Sequence, residues 1–515
     1  MDFLENITPR EYQKNIFETC IKKNCLVVLP TGVGKTLIAL MVAIERMKQF
    51  PGEKVVILAP TKPLAEQHLE SFKKNLPELF GDMQLFTGSV NADKRKKIWQ
   101  TADILFSTPQ CIANDVKKRL YNLSDVCLLV EDEAHRCVKN YSYNLVAKKY
   151  LEQAQNPRII GLTASPGSDK QKIKDICKNL SIEEVELRTR ESPDVKKYLQ
   201  KLEFERIEVE LPKEFQEIGS LLKKIYTDYT DKLRSSGLLT GYDSKIALIE
   251  LQGKLMRKLK MNLKHLIVYQ GISNCAQAIK ISHAFELLET QTMGGLHKYL
   301  KSLYNQAAKK QSKGVITLVS RPEFTRAFSL ANEQIIKKQE HPKIEKLIEI
   351  IKTEDLGKKR IIFSQFRDTA KIISDNLNKI PGIKSKVFVG QTKKSETGLS
   401  QKEQKKIIDE FREKKINILC ATSIGEEGLD IPEVDSVIFY EPVSSAIRSI
   451  QRRGRTARLQ KGELKILITK DTKDQRAYYA SRSREKKMQK SIESIKEELK
   501  LNGKLKPNEF QKKLI

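Results

Sequence analysis

At 515 residues the chain is too long for one apolar core and long enough for two to four domains. Hydrophobic content of 39% and charged content of 31% exclude a disordered chain. Its 94 Lys and Arg against 65 Asp and Glu leave a formal charge of +29, which points to a polyanionic partner, nucleic acid first, or to a Lys-rich solubilising surface.

The N-terminal MDFLENITPREYQKN is charged and lacks a signal-peptide core, and no apolar run approaches membrane-spanning length, so a soluble, intracellular protein of the cytoplasm or nucleoid is expected. Short continuous apolar runs then recur at 24–30, 54–60, 103–109, 125–133 and 158–165. Continuous runs of this kind predict strands buried on both faces, in a parallel sheet covered by helices. A second set at 359–366, 384–390, 416–423, 435–442 and 464–470 predicts a second such sheet. Between them, from about 205 to 335, the period changes: Leu248, Leu251, Leu255 and Leu259 share a helical face, which predicts an all-helical insert. Eight cysteines, at 20, 25, 111, 127, 137, 177, 275 and 420, form no CxxC pair and fall mostly in apolar runs. They read as small buried hydrophobes.

The stretch LVVLPTGVGKT (26–36) follows the phosphate-loop signature G-x-x-x-x-G-K-[ST], except that Leu29 stands at the first glycine. Pro30, Thr31, Gly32, Val33 and Gly34 make the loop, and the two glycines let backbone N–H groups approach phosphate oxygens. Lys35 is placed to reach the β and γ phosphates of ATP, and the Thr36 hydroxyl to ligate Mg2+. The second element is VEDEAH (130–135), at the carboxyl end of a predicted strand, where open α/β sheets bind ligands. Asp132 is the candidate Mg2+ carboxylate, and Glu133 the candidate general base toward the attacking water. Together the two elements make a nucleotide hydrolase.

DEAH with this loop resembles the superfamily 2 helicases and translocases, and further motifs follow in the family's order. Arg10, Tyr12 and Gln13 in PREYQ resemble the element whose glutamine reads adenine. APTKPL (59–64), TGS (87–89) and STPQ (107–110) resemble motifs that contact nucleic acid. TAS (163–165) resembles the motif that couples hydrolysis to domain movement, so Thr163 and Ser165, with His135, are coupling candidates. SQFRDT (364–369), ATSIGEEGLDIP (421–432) and QRRGRTAR (451–458) match the remaining motifs. The resemblance implies two RecA-like domains closing on ATP, with Gly428, Asp430 and Gln451 near the nucleotide and Arg455 and Arg458 as arginine fingers. An arginine supplied by a second body accelerates phosphoryl transfer by orders of magnitude. Thr61, Lys62, Thr108, Ser364 and Thr422 are the candidate contacts to a nucleic-acid backbone.

Over nearly its whole length the chain resembles the archaeal Hef helicase and the Fanconi anaemia group M translocase. That resemblance implies a 3′ to 5′ DNA helicase or translocase on forked or branched DNA in fork repair and recombination. The expected domains are 1–204, a RecA-like domain; 205–335, the helical insert, recognising branches; 336–485, a second RecA-like domain; and 486–515, a basic tail. The insert's basic runs KLMRKLKMNLKH (254–265) and KKQSKG (309–314) suit duplex backbones. The tail is read as a DNA-contacting extension, a linker, or a helix for clamp or repair-protein partners. After Gly462 only Asp471 and Asp474 are aspartates, so no XPF-type nuclease cluster is expected. The competing reading is a double-stranded RNA translocase or sensor resembling the RIG-I and Dicer helicase modules, which carry a helical insert at the same place.

Overall fold

The computed structural model describes residues 3–88, 90–200, 202–261, 265–390, 398–422, 431–454, 456 and 462–502. The first sheet is built from β1 (Cys25–Val28), β2 (Lys54–Leu58), β3 (Met83–Phe86), β4 (Ile104–Ser107), β5 (Val126–Asp132), β6 (Ile159–Thr163) and β7 (Glu184–Leu187). They are parallel, in the order β3-β4-β2-β5-β6-β1-β7. The continuous apolar runs are explained by burial on both sides. Leu26, Val28, Val56 and Leu58 enter one core layer, while Cys25, Val27, Val55 and Ile57 enter the other.

The second sheet contains β8 (Leu202–Val209), β9 (Arg360–Phe363), β10 (Ser385–Phe388), β11 (Ile418–Ala421), β12 (Ser436–Phe439) and β13 (Gly462–Thr469), in the parallel order β10-β11-β9-β12-β13-β8. The expected break at 204 and 205 therefore cuts through a strand: Leu202–Val209 is the edge of the second sheet, in register from Leu202↔Gly462 to Val209↔Thr469. Its charged sequence, LEFERIEV, hid it, because an edge strand tolerates Glu and Arg on open faces. The chain thus crosses to the second domain before it enters the helical block, which runs from the helix Lys213–Ser235 to the helix Pro322–Ile336. As expected, Leu248 and Leu255 are buried in this block's own core, with Leu251 and Leu259 packed beside them.

The block is tied to the second sheet by buried polar groups. Thr369 Oγ1 donates to Gln291 Oε1 at 2.8 Å, and Tyr440 OH donates to Gln291 O at 2.9 Å. Lys343 Nζ donates to Thr290 O at 3.2 Å and pairs with Asp474. Beside them, burial pushes the Glu441 carboxyl up to about 7, more than Lys343 and Arg452 pull it down. Because its folded value lies above the ordinary 4.5, folding favours the protonated form, and that contribution is lost as pH rises from about 4.5 to about 7. Glu441→Gln is expected to raise the thermal midpoint at pH 8 and to change it little at pH 5. An equal change at both pH values would contradict a titrating Glu441.

The basic tail is not a free arm where it is described. Lys473–Asn502 is one helix that leaves the second domain and returns to the first, burying Met488, Ile492, Ile495 and Leu499 in a core layer of the first sheet. Lys174–Glu498, at 2.8 Å, and Lys496–Glu186, at 3.8 Å, flank that contact. All eight cysteines are buried and free, as their setting in apolar runs implies. Among the described residues no helix is long and apolar enough to cross a membrane.

Candidate active site and nucleic-acid track

Leu29 explains how the loop dispenses with its first glycine. Its N–H donates to Thr163 O at 3.1 Å, so it prolongs the pairing of β1 and β6, and its side chain is fully buried. The position directly follows β1, is not among the positive-φ residues, and needs no left-handed turn. That turn comes later: Gly32 has φ 82° and Gly34 φ 81°, a conformation glycine adopts without steric cost. Gly34 caps the helix Lys35–Gln49, directing that helix's first N–H groups at the loop, an arrangement suited to phosphate.

PREYQ is fastened to the same loop. Val33 O accepts from Tyr12 OH at 2.6 Å and from Gln13 Nε2 at 3.1 Å, while Gln13 Oε1 accepts the Arg10 N–H at 2.8 Å. A Cβ on Gly34 would lie 2.4 Å from Gln13 Nε2, so a side chain there would have to push the Gln13 amide off Val33 O. Lys35 Nζ donates to Leu29 O at 3.3 Å, which holds the ammonium at the mouth of the loop, and Thr36 follows in the first helical turn.

The three acids of VEDEAH are sorted by their surroundings. Glu131 is fully buried; burial pushes it up to about 8, and the Cys137 thiol donates to it at 2.9 Å, so it is a neutral core group at pH 7. Asp132, at the end of β5, is also buried, but the His68 hydrogen bond and the Lys35 charge outweigh that burial and hold it below the ordinary carboxylate value. Glu133 takes a left-handed φ of 51°, which turns the chain at the strand end and places its carboxylate 3.2 Å from His135 Nδ1. That same nitrogen lies 3.3 Å from Thr163 Oγ1, which accepts the Ser165 N–H at 3.1 Å. The coupling candidates His135, Thr163 and Ser165 are thus one contiguous chain from Glu133. Ser165 Oγ then meets Met488 Sδ at 2.9 Å on the returning C-terminal helix.

The donor set fits a nucleoside triphosphate with a divalent cation: left-handed glycines, a helix N-terminus, Lys35, the Thr36 hydroxyl and an ionised Asp132 converge on one strand edge. The second domain faces this edge through the helix Ala446–Arg453. Gln451 is buried there, and Arg453 pairs with Glu485 at 2.7 Å. Gly454 lies against the loop so closely that a Cβ on it would sit 1.3 Å from Thr31 Oγ1. Pro30, Thr31, Ile450, Gly454 and Met488 line the cavity of about 100 Å3 that remains there. Arg455, Arg458, Gly428 and Asp430 lie outside the described residues, as does Ser89 of TGS.

Four of the five track candidates stand at carboxyl ends of strands. Thr61 and Thr108 follow β2 and β4 and cap helices without a side-chain hydrogen bond to the helix, and the Thr61 Oγ1 is buried with no hydrogen-bond partner among the described residues. Lys62, in the first turn after Thr61, pairs with Glu66 at 3.4 Å. Ser364 and Thr422 follow β9 and β11 but are buried; Ser364 Oγ donates to Phe366 O at 3.1 Å and so caps its own turn in this conformation. Sequence reasoning missed His68, whose Nε2 lies 2.9 Å from Asp132 Oδ2, and Tyr143, whose hydroxyl donates to Asp132 O at 2.6 Å. A histidine in the inward stripe Ala65, His68, Phe72 was the available signal for the first.

Comparison with known proteins agrees with this architecture. A DEAD/DEAH box helicase family model matches residues 10–173, a helicase conserved C-terminal domain model matches 342–460, and a helical-bundle model of an ATP-dependent RNA helicase matches 214–341. The Hef helicase domain from Pyrococcus furiosus is 43% identical, with a TM-score of 0.71 over 92% of this chain and 98% of that one. A Methanocaldococcus jannaschii protein named as an ATP-dependent RNA helicase is 36% identical over 95% of this chain and 61% of its own length. The Fanconi anemia group M protein homolog of Mus musculus is 32% identical over 96% of this chain and 26% of its own, and an ATP-dependent DNA helicase of Neurospora crassa is 33% identical over 90% and 41%. The chain therefore spans between about a quarter and three-fifths of the length of these curated relatives.

Proposed function

The chain belongs to the superfamily 2 DEAH-box helicases of the Hef and Fanconi anaemia group M family, and from that premise we propose that it is an ATP-dependent DNA helicase or translocase acting 3′ to 5′ on forked or branched DNA in fork repair and recombination. Lys35, Thr36 and Asp132 hold ATP and its Mg2+, which when bound neutralises charge on the phosphoryl oxygens. Glu133 takes the proton from the attacking water. Gln451 is assigned to the nucleotide, and the family resemblance assigns Arg455 and Arg458 to it as arginine fingers, together with Gly428 and Asp430. Gln13 and Arg10 position the loop and the base. His135, Thr163 and Ser165 relay the state of the site toward the second domain, while Thr61, Lys62 and Thr108 grip a DNA backbone; Ser364 and Thr422 join them on rearrangement of their turns.

The observation that carries the choice of branched DNA is the helical block between two motor sheets, with Lys254, Arg257, Lys258 and Lys260 exposed along one helix. Lys254→Ala with Lys258→Ala is expected to weaken fork binding and to lower the salt slope by about one for each phosphate no longer neutralised. Unchanged slope and unchanged preference for forks over linear duplex would move branch recognition elsewhere. The C-terminal helix Lys473–Asn502 presents its outer, basic face to clamp or repair-protein partners while its apolar stripe stays on the first domain. A double-stranded RNA translocase is the second reading, favoured by the RNA-helicase names of one relative and of the bundle model.

A further inference from the structure

The metal-side carboxylate is held by a residue outside the helicase motifs. The helix Lys62–Asn75 begins at its cap Thr61, carries Lys62 in its first turn, and turns Ala65, His68 and Phe72 inward. His68 is 6% exposed, and its Nε2 lies 2.9 Å from Asp132 Oδ2. Its Nδ1 is buried with no hydrogen-bond partner among the described residues, so the ring's one polar tie is to Asp132. In the tautomer with hydrogen on Nε2, the ring donates to the carboxylate. Tyr143 OH bridges Asp132 O, at 2.6 Å, and Leu58 O, at 3.3 Å, which joins the ends of β5 and β2 at the same place.

His68 lies six positions after Lys62, about 9 Å along a helix axis. A helix moves nearly as a rigid rod over that distance, so a displacement of its first turn reaches His68. A shift of about 0.5 Å is enough to lengthen this hydrogen bond beyond the usual limit of about 3.2 Å.

We propose that His68 is a positioning residue: it orients the Asp132 carboxylate toward Mg2+ and passes the position of the helix beginning at Thr61 and Lys62 into that carboxylate. The second half rests on the proposed DNA contacts of Thr61 and Lys62; the first half does not. Removing a partner that orients a metal ligand costs about 10- to 100-fold in metal affinity. DNA seated on Thr61 and Lys62 fixes the helix, fixes the ring, and so tightens the metal site.

The test is Mn2+ binding to the full chain with a non-hydrolysable ATP analogue, followed by electron paramagnetic resonance with and without forked DNA. His68→Leu keeps the apolar packing of the stripe and removes the hydrogen bond; His68→Gln keeps an amide donor. For wild type, forked DNA is expected to tighten Mn2+ binding. His68→Leu is expected to weaken Mn2+ binding about 10- to 100-fold, to leave metal-free nucleotide affinity unchanged, and to abolish the response to DNA, whereas His68→Gln recovers much of both. A His68→Leu protein that binds Mn2+ as wild type does would overturn the proposal. So would wild-type Mn2+ affinity that stays constant while forked DNA is bound. Fluorescence anisotropy of labelled fork separates the two readings: if wild type binds no fork, the DNA reading fails, and Mn2+ affinity without DNA still decides whether His68 holds Asp132.

Discussion

Replacing Glu133 by Gln leaves ATP and Mg2+ binding intact and slows turnover by roughly two to four orders of magnitude, the range expected on removing a general base. The reason lies in how the strand end divides its three carboxylates. Glu131 is turned into the core and kept neutral by burial, so it has no role at the reacting centre. Asp132 is kept ionised by His68 and Lys35, a charge suited to a cation but one that makes it a weak base. Glu133 alone is swung out by a left-handed backbone, onto the side where His135 and Thr163 continue toward the second domain. The amide of Gln preserves that shape and removes the proton acceptor. Near-normal turnover in Glu133→Gln, measured alongside unchanged nucleotide binding, would refute the assignment.

Gly454→Ala is the second large effect, and it probes the meeting of the two domains. The added methyl would fall 1.3 Å from Thr31 Oγ1 and 2.5 Å from Thr31 Cβ, so no rotation of the threonine relieves the clash. The helix that carries Gln451 must then stand back from the phosphate loop, which, on the proposed assignment of Arg455 and Arg458 as arginine fingers, withdraws them from the γ phosphate. ATP binding to the first domain should survive, while hydrolysis falls by about 100-fold or more, since a missing arginine finger alone costs orders of magnitude. Thr31→Gly combined with Gly454→Ala removes the opposing side chain and should recover much of the rate. Equal losses in the single and double variants would show that the contact does not govern closure.

The parts of the fold legible in the sequence were those whose signal is local. Runs such as LVVL and VVIL announce strands because both faces are covered, and Leu248, Leu251, Leu255 and Leu259 announce a packed helix by spacing alone. Three of the four edge strands gave no such signal: MQLF is half-buried, EVEL alternates charge with apolar residues, and LEFERIEV carries four charges, whereas the edge strand Ser385–Phe388 was announced by its run. The C-terminal helix does contain a stripe, Met488, Ile492, Ile495 and Leu499, but it is embedded in a Lys-rich segment whose composition suggests a solvated tail. At the site, the loop and VEDEAH were readable because their spacing is fixed within a few residues. The contact of Gly454 with Thr31 and the hold of His68 on Asp132 depend on docking of distant elements, which no short pattern encodes. The hydroxyl of Ser364 shows the converse: the residue type suits phosphate, yet the local turn satisfies it internally.

The central claim, that ATP hydrolysis between the two sheets is driven by branched DNA, is tested most directly by one comparison. ATPase rates are measured with forked DNA, linear duplex DNA and double-stranded RNA at a single stated salt concentration, because phosphate-dominated binding varies steeply with salt. Forked DNA is predicted to stimulate hydrolysis more than linear duplex, and RNA least. Strong stimulation by double-stranded RNA with none by forked DNA would contradict the account.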